Sequence, residues 1–173
     1  MNKYSIITLI AIIVIAIPVL YGFWNIYSIE QIQIRTPNDE FSYFDMANYE
    51  RIELCNPTPF FVTINGLRID VLYRDDEKGT FLMGSQTLGP ESSKIQEINF
   101  SSDNFSESQY LFMHMDGQLE GEVPIRIDPT QMILKTTFDI RIIGIIPYQS
   151  TFTQSGFDFT QMMNENSLCK NKD

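Results

Sequence analysis

The sequence predicts a mainly β protein, an antiparallel β-sandwich with one capping helix, preceded by one N-terminal transmembrane helix. Three observations carry that expectation. An uncharged apolar run opens the chain, apolar residues then recur at period two, and one later stretch has the signals of a helix start. The chain has 173 residues, 22 acidic against 12 basic, and is 43% hydrophobic. This suffices for one packed domain and excludes wholesale disorder, collagen-like repeats and a disulfide-dense scaffold.

Between Tyr4 and Ile29 there is no charged side chain. A helix rises about 1.5 Å per residue, so roughly 20 residues cross the ~30 Å hydrocarbon layer, and Ser5 to Trp24 supply that length without interruption, with Ile6 to Phe23 as the candidate span. The run passes into Tyr21, Phe23, Trp24 and Tyr27 rather than into the small residues of a signal-peptide cleavage site. Rings with a polar tip suit the membrane-water boundary, and Pro18 is tolerable within a span. Residues 1–28 therefore read as a membrane anchor in contact with lipid, residues 29–162 as the β domain and residues 163–173 as a polar tail that frays. Lys3 before the span and Glu30 directly after it put the amino terminus in the cytoplasm and the domain outside the cell, in a single-pass cell-membrane protein.

The β elements follow in order. Ile32, Ile34 and Thr36 alternate with polar neighbours, as do Ile52 and Leu54, whose phase puts Cys55 on the wet face. Val62 and Ile64 share one phase and Leu67, Ile69, Val71 and Tyr73 the other. A bulge or kink at Asn65-Gly66 would keep both halves facing the core. Residues 75–79 read as a hairpin turn into a strand over 80–84, with Gly79 at positive φ, and Leu88-Gly-Pro-Glu91 as a second turn before a strand over 93–100. Leu119, Val123, Ile125 and Ile127 form a further period-two set, at an edge because of Pro124, and Leu134, Thr136, Phe138, Ile140 and Ile142 form the clearest one.

The single predicted helix starts with a capping box at Ser106 and Gln109, stapled by Phe105 and Tyr110, and stops at Gly117. Leu111, Phe112 and Met115 give it an apolar stripe that covers an open end of the strands. Many short strands with one helix imply a sandwich or a partly open barrel.

The residues beyond Ser28 carry every acidic side chain and all but one of the basic ones, a balance that repels phosphate backbones, so nucleic acid is not an expected partner. The charge reads as the solubility of an extracytoplasmic surface.

The stretch from Ile52 to Tyr73, with its strand ending in Asn56-Pro57, then Phe60, Val62, Ile64, Leu67, Val71 and Tyr73, resembles the late embryogenesis abundant group 2 domain, also called the WHy (water stress and hypersensitive response) domain. Gly79-Thr-Phe-Leu-Met-Gly84 is similar to that family's next hairpin. The resemblance spans about residues 29–157, with its specific part at 52–84. It implies a sandwich of seven or eight strands with a fibronectin type III flavour, from a family linked to desiccation and stress tolerance, with no catalytic residues. Asn56 and Pro57 have a local role in it, since Pro ends the strand and the Asn side chain can satisfy backbone groups at the turn.

Residues with chemistry are few. Met113, His114 and Met115 together suit copper in an oxidising compartment, but alternate positions on a helix point about 200° apart, and Met115 fits the core. One histidine leaves no second imidazole for a zinc site of the usual kind, and no G-x-S-x-G elbow occurs. The acidic runs Asp39-Glu40 and Asp75-Asp76-Glu77 lack the ligand spacing of a calcium loop. Asn99 and Asn104 head two sequons, usable if the domain is exported. Cys55 and Cys169 permit one intramolecular bridge, tying tail to strand, or two free thiols.

The functional expectation is an anchored, non-enzymatic surface without cofactor that binds or stabilises membrane or envelope proteins. The alternative is an accessory subunit whose helix packs laterally in a membrane complex.

Overall fold

The structure is a computed structural model that describes residues 3–38, 40–119, 121, 127–142, 145–166, 168 and 169. The uncharged run forms one helix, α1 (Lys3–Glu30), about 42 Å long at 1.5 Å per residue, which is long and apolar enough to cross a membrane. Its most apolar part is exposed, and only its last turns pack on the body, through Gly22, Asn25, Ser28 and Ile29. The boundary expected at residue 28 thus falls inside the helix.

The body is an antiparallel β-sandwich. One layer is a five-stranded sheet of order β10-β9-β4-β5-β8, made by β4 (Gly66–Tyr73), β5 (Asp76–Met83), β8 (Asn99–Ser101), β9 (Met132–Ile142) and β10 (Ile146–Ser155). Facing it is a three-stranded sheet of order β1-β2-β7, made by β1 (Gln33–Arg35), β2 (Arg51–Asn56) and β7 (Ser92–Glu97), with a two-stranded ribbon of β3 (Val62–Ile64) and β6 (Gln86–Leu88) beside them. Ile69, Val71, Phe81, Leu134 and Phe138 from one layer meet Ile34, Ile52 and Leu54 from the other in one core. Helices α2 (Tyr43–Tyr49), α3 (Phe105–Leu119) and α4 (Gly156–Met163) add Tyr43, Phe112, Met115 and Phe159 to it.

Several local expectations change. The phase flip at Asn65-Gly66 is a change of sheet: β3 pairs with β6, while β4 pairs with β5 and β9. Val62, Ile64, Leu67, Ile69 and Val71 are nevertheless all buried. The hairpin turn lies earlier than expected, at Arg74 and Asp75, whose φ of 55° and 65° match the right-handed twist of the flanking strands. Gly79 consequently stands within β5, opposite Val71, at φ 158°, and a Cβ there would lie 2.5 Å from the Phe100 ring. The strand expected over 93–100 divides at Ile98 between β7 and β8, which belong to different layers.

α3 starts two residues earlier than the predicted box. Asn104 is a stronger cap than its neighbours: its Oδ1 accepts from the Glu107 N–H at 3.3 Å and its Nδ2 donates to the Glu107 carboxylate at 3.2 Å. Gly117 lies inside α3 rather than ending it, and Leu111, Phe112 and Met115 are buried. Two further short helices were not expected, although each carries a Ser-x-x-Asp start: Ser42 accepts from the Asp45 N–H and Ser155 from the Asp158 N–H. Of the strand expected over 119–127, Leu119 closes α3 and Ile127 is a buried bend residue, and Val123, Pro124 and Ile125 lie outside the described residues.

Cys55 is fully buried instead of facing water, because the tail covers it, with Cys169 bonded to it across a Cα separation of 5.8 Å. The described part of the tail does not fray. Phe41 N–H donates to the Asn164 side chain at 2.8 Å, Arg35 donates to the Glu165 carbonyl and Leu168 N–H to the Gln33 side chain.

Candidate functional site

A largely buried polar cluster sits where α1 meets the body, and one amide organises it. β2 ends at Asn56, and Pro57 holds that residue extended and turns the chain away from the sheet. The buried Asn56 side chain then uses every bond it has. Its Nδ2 donates to the carbonyls of Phe60 and Gly89, both at 2.7 Å, and its Oδ1 accepts from the Thr58 N–H at 3.2 Å and the Thr58 hydroxyl at 2.8 Å. The loop over 57–61 and the turn over 88–91 are held together by this group, and Glu91 N–H adds a bond to the Thr58 carbonyl at 2.9 Å.

The loop so fixed receives the helix. Ser28 and Thr58 share a buried hydroxyl hydrogen bond of 2.9 Å, and the rings of Trp24 and Phe60 stack at 4.6 Å with 13° between their planes. Trp24, four residues before Ser28, is on the side of the long apolar run, so Phe60 and the exposed Phe61 mark the pole of the sandwich nearest the exposed apolar part of α1. Asn25, also in this seam, is buried, and its Oδ1 has no hydrogen-bond partner among the described residues.

A second node lies at the opposite pole. The Asp116 carboxylate of α3 accepts from the Ser42 hydroxyl and from the N–H groups of Tyr43 and Phe44, each at 2.9 Å, and so joins α3 to the start of α2. Burial raises the Asp116 pKa, opposed by those three bonds. The Tyr43 hydroxyl, also raised by burial, donates to the Gly156 carbonyl at 2.6 Å and ties α2 to α4. Beside α2 a depression of about 440 Å³ is lined by Thr36, Asn38, Phe41, Asp45 and Arg51.

The remaining candidates are dispersed. Met115 is in the core and Met113 is exposed, while the His114 ring rests on Tyr110 with Nδ1 2.8 Å from the Tyr110 carbonyl. The structure does not bring the three together. Among the described residues, no group of three or more His, Cys, Asp or Glu side chains is placed to hold a metal. Asn99 and Asn104 are both exposed, the first on the edge strand β8, the second engaged as the cap of α3. Asn56, Pro57 and Phe60 are in the joint, Val62, Ile64, Leu67 and Val71 in the core, and the Tyr73 hydroxyl accepts from the Asp128 N–H. Ser28 and Thr58 carried no signal in the linear pattern and Trp24 only that of a membrane-boundary ring, since the contacts that give them a role in the joint link residues thirty or more positions apart.

In comparison with known proteins, the sequence matches no protein-family model and no curated protein.

Proposed function

We propose that the chain is a single-pass membrane protein that holds a non-catalytic β-sandwich of the group 2 type outside the cell, where its surface binds or stabilises other envelope components. The observation that carries this reading is the joint. A free-swinging linker needs no stacked ring pair or buried hydroxyl bridge, whereas a body presented at a set height and angle above a membrane does. The bonded Cys55 and Cys169 support an oxidising compartment, and the exposed Asn99 and Asn104 suit an exported face. The use that Asn56 makes of the turn after Pro57 supports the group 2 resemblance. The absence of turnover is argued from Asp116 and Tyr43, two ionisable side chains set into the body that spend their hydrogen bonds on joining helices.

Protease added to intact cells tests the topology. The body should be digested from outside, and the chain should stay with membranes through alkaline carbonate washing. A body protected in intact cells, or a full-length chain in the soluble fraction, overturns the reading.

A second reading, an accessory subunit of a membrane complex, is favoured by one feature. Phe105, Tyr110 and Met113 line an exposed apolar face of α3, away from the span. It requires a stoichiometric partner in mild detergent that is lost in Tyr110→Ser/Met113→Ser.

A further inference from the structure

The five-stranded sheet has two hairpin tips at opposite ends, of opposite chemistry. β4 and β5 turn through Arg74 and Asp75 beside the start of β9, since Tyr73 pairs with Met132. At the other end β9 finishes at Ile142 and β10 starts at Ile146, the two paired with each other, and Ile145 N–H donates to the Ile142 carbonyl at 3.2 Å. Turns in water are ordinarily built from polar residues, Gly and Pro. Here Ile145 is 78% exposed, the most of any large apolar side chain among the described residues, and Ile146 is 53% exposed.

The place of this tip follows from the register. β4 pairs Gly66 with Asp139, and Asn65 N–H donates to the Asp139 carbonyl at 2.7 Å, so β3, just upstream, runs beside the last residues of β9. α1 packs on both β3 and β9. β3 leads away from Phe60 and Phe61, the residues level with Trp24, while β9 runs the opposite way and delivers Ile142 and Ile145 to that same pole. Beside the isoleucines stand Arg141, exposed and without an ion-pair partner among the described residues, and Tyr148, half-buried. Apolar tip, flanking guanidinium and amphipathic ring are the groups that suit hydrocarbon, lipid phosphate and the boundary between them.

Resting on the reading of α1 as a span, we propose that the β9–β10 tip is a second membrane contact: Ile145 and Ile146 enter the phospholipid interface beside α1 and fix the tilt of the body. A single helix leaves the body free to rotate about its axis. A second point of entry removes that freedom.

Trp24 is the chain's one tryptophan, which makes the test direct. Full-length Trp24→Phe/Ile145→Trp is placed in phosphatidylcholine vesicles whose acyl chains are brominated near the headgroup. The new indole should emit at blue-shifted wavelength and be quenched about as strongly as Trp24 in the unaltered protein, while Trp24→Phe/Tyr110→Trp, at the far pole, should emit as in water. Trp24→Phe/Ile146→Trp gives the same reading if the first variant does not fold. Water-like, unquenched emission at both tip positions, with Trp24 of the unaltered protein quenched, overturns the tip contact and leaves the span standing. Equal quenching at Tyr110→Trp overturns it as well, because the body would then lie on the bilayer without a defined edge. If Trp24 itself is not quenched, the span fails and the tip contact with it.

Discussion

Asn56 shows how much one side chain can organise when all its hydrogen-bonding capacity is used. Replacing it by Ala strands the Phe60 carbonyl and the Thr58 N–H, at about 1–3 kcal/mol for a group left unpaired, while the Gly89 carbonyl keeps the Ser92 hydroxyl and the Thr58 hydroxyl keeps Ser28. Asn56→Ala should therefore lose about 2–4 kcal/mol of stability in urea unfolding, and the Trp24 fluorescence should lose its native signal along with the Phe60 stack. A loss below about 0.5 kcal/mol, the size of an ordinary surface change, would show that the turn holds without it. Asp116 behaves differently because its charge is a liability in its buried site. Its folded pKa is raised, so the folded chain binds a proton more readily than the unfolded one. As pH falls from neutral toward the ordinary carboxylate range, near 3.9, this group's contribution to stability rises. Relative to Asp116→Asn, the unaltered protein should gain stability over that fall, as read from paired urea curves at the two ends of the range. A difference that stays constant or shrinks would contradict the assignment.

Among the elements, the tail depends on contacts made far along the chain, and the β5–β8 edge on a close approach of ring and backbone. Reduction of the Cys55–Cys169 bond, or Cys169→Ser, opens a loop of 114 residues, worth up to about 4–5 kcal/mol in the chain-entropy picture. The expected result is a lower melting temperature together with fast amide exchange at Phe41 and Leu168, whose N–H groups bond across the contact between tail and body. Melting that is the same with and without reductant would mean that the tail docks without the bond. At Gly79, adding a methyl brings it against Phe100, and overpacking of this kind costs about 1–3 kcal/mol. Gly79→Ala should be destabilising by that amount, and the loss should be smaller in a Phe100→Leu background, where the facing ring is gone. Additivity of the two changes in a double-mutant cycle would rule out the steric cause.

For the whole molecule, the arrangement is polar along one axis. The apolar helix, the stacked Trp24 and Phe60, and the β9–β10 tip are at one end, and α2, α3 and α4, joined through Asp116 and Tyr43, close the other. If the body is exported in a host that modifies sequons, Asn99 should carry the glycan in preference to Asn104, because Asn99 is exposed on an edge strand while the Asn104 amide is engaged in capping α3. Asn99→Gln should then remove most of the endoglycosidase-sensitive mass shift. A shift that survives in Asn99→Gln and is lost in Asn104→Gln would reverse the order.

The sequence by itself determined the features that depend on neighbours in the chain. The uncharged run reads as one long apolar helix, and the alternation of Leu134, Thr136, Phe138 and Ile140 as a strand with one buried face, since side-chain direction repeats with a fixed local period. The role of Asn56 in closing the turn after Pro57 was legible for the same reason, because its partners Thr58 and Phe60 lie within four residues. β10 left no such trace: it is an edge strand whose one buried position is the polar Ser150, while Ile146 and Phe152 are exposed, so its apolar residues do not follow its burial. Only the tertiary structure decided that β3 and β4 join different sheets and that Cys55 is covered by the tail. It also decided that Ser28 meets Thr58 and Trp24 meets Phe60. Each of these depends on pairing between distant segments, which is set by the mutual fit of whole layers; the local pattern marks at most where one element breaks from the next, as the phase flip at Asn65-Gly66 does.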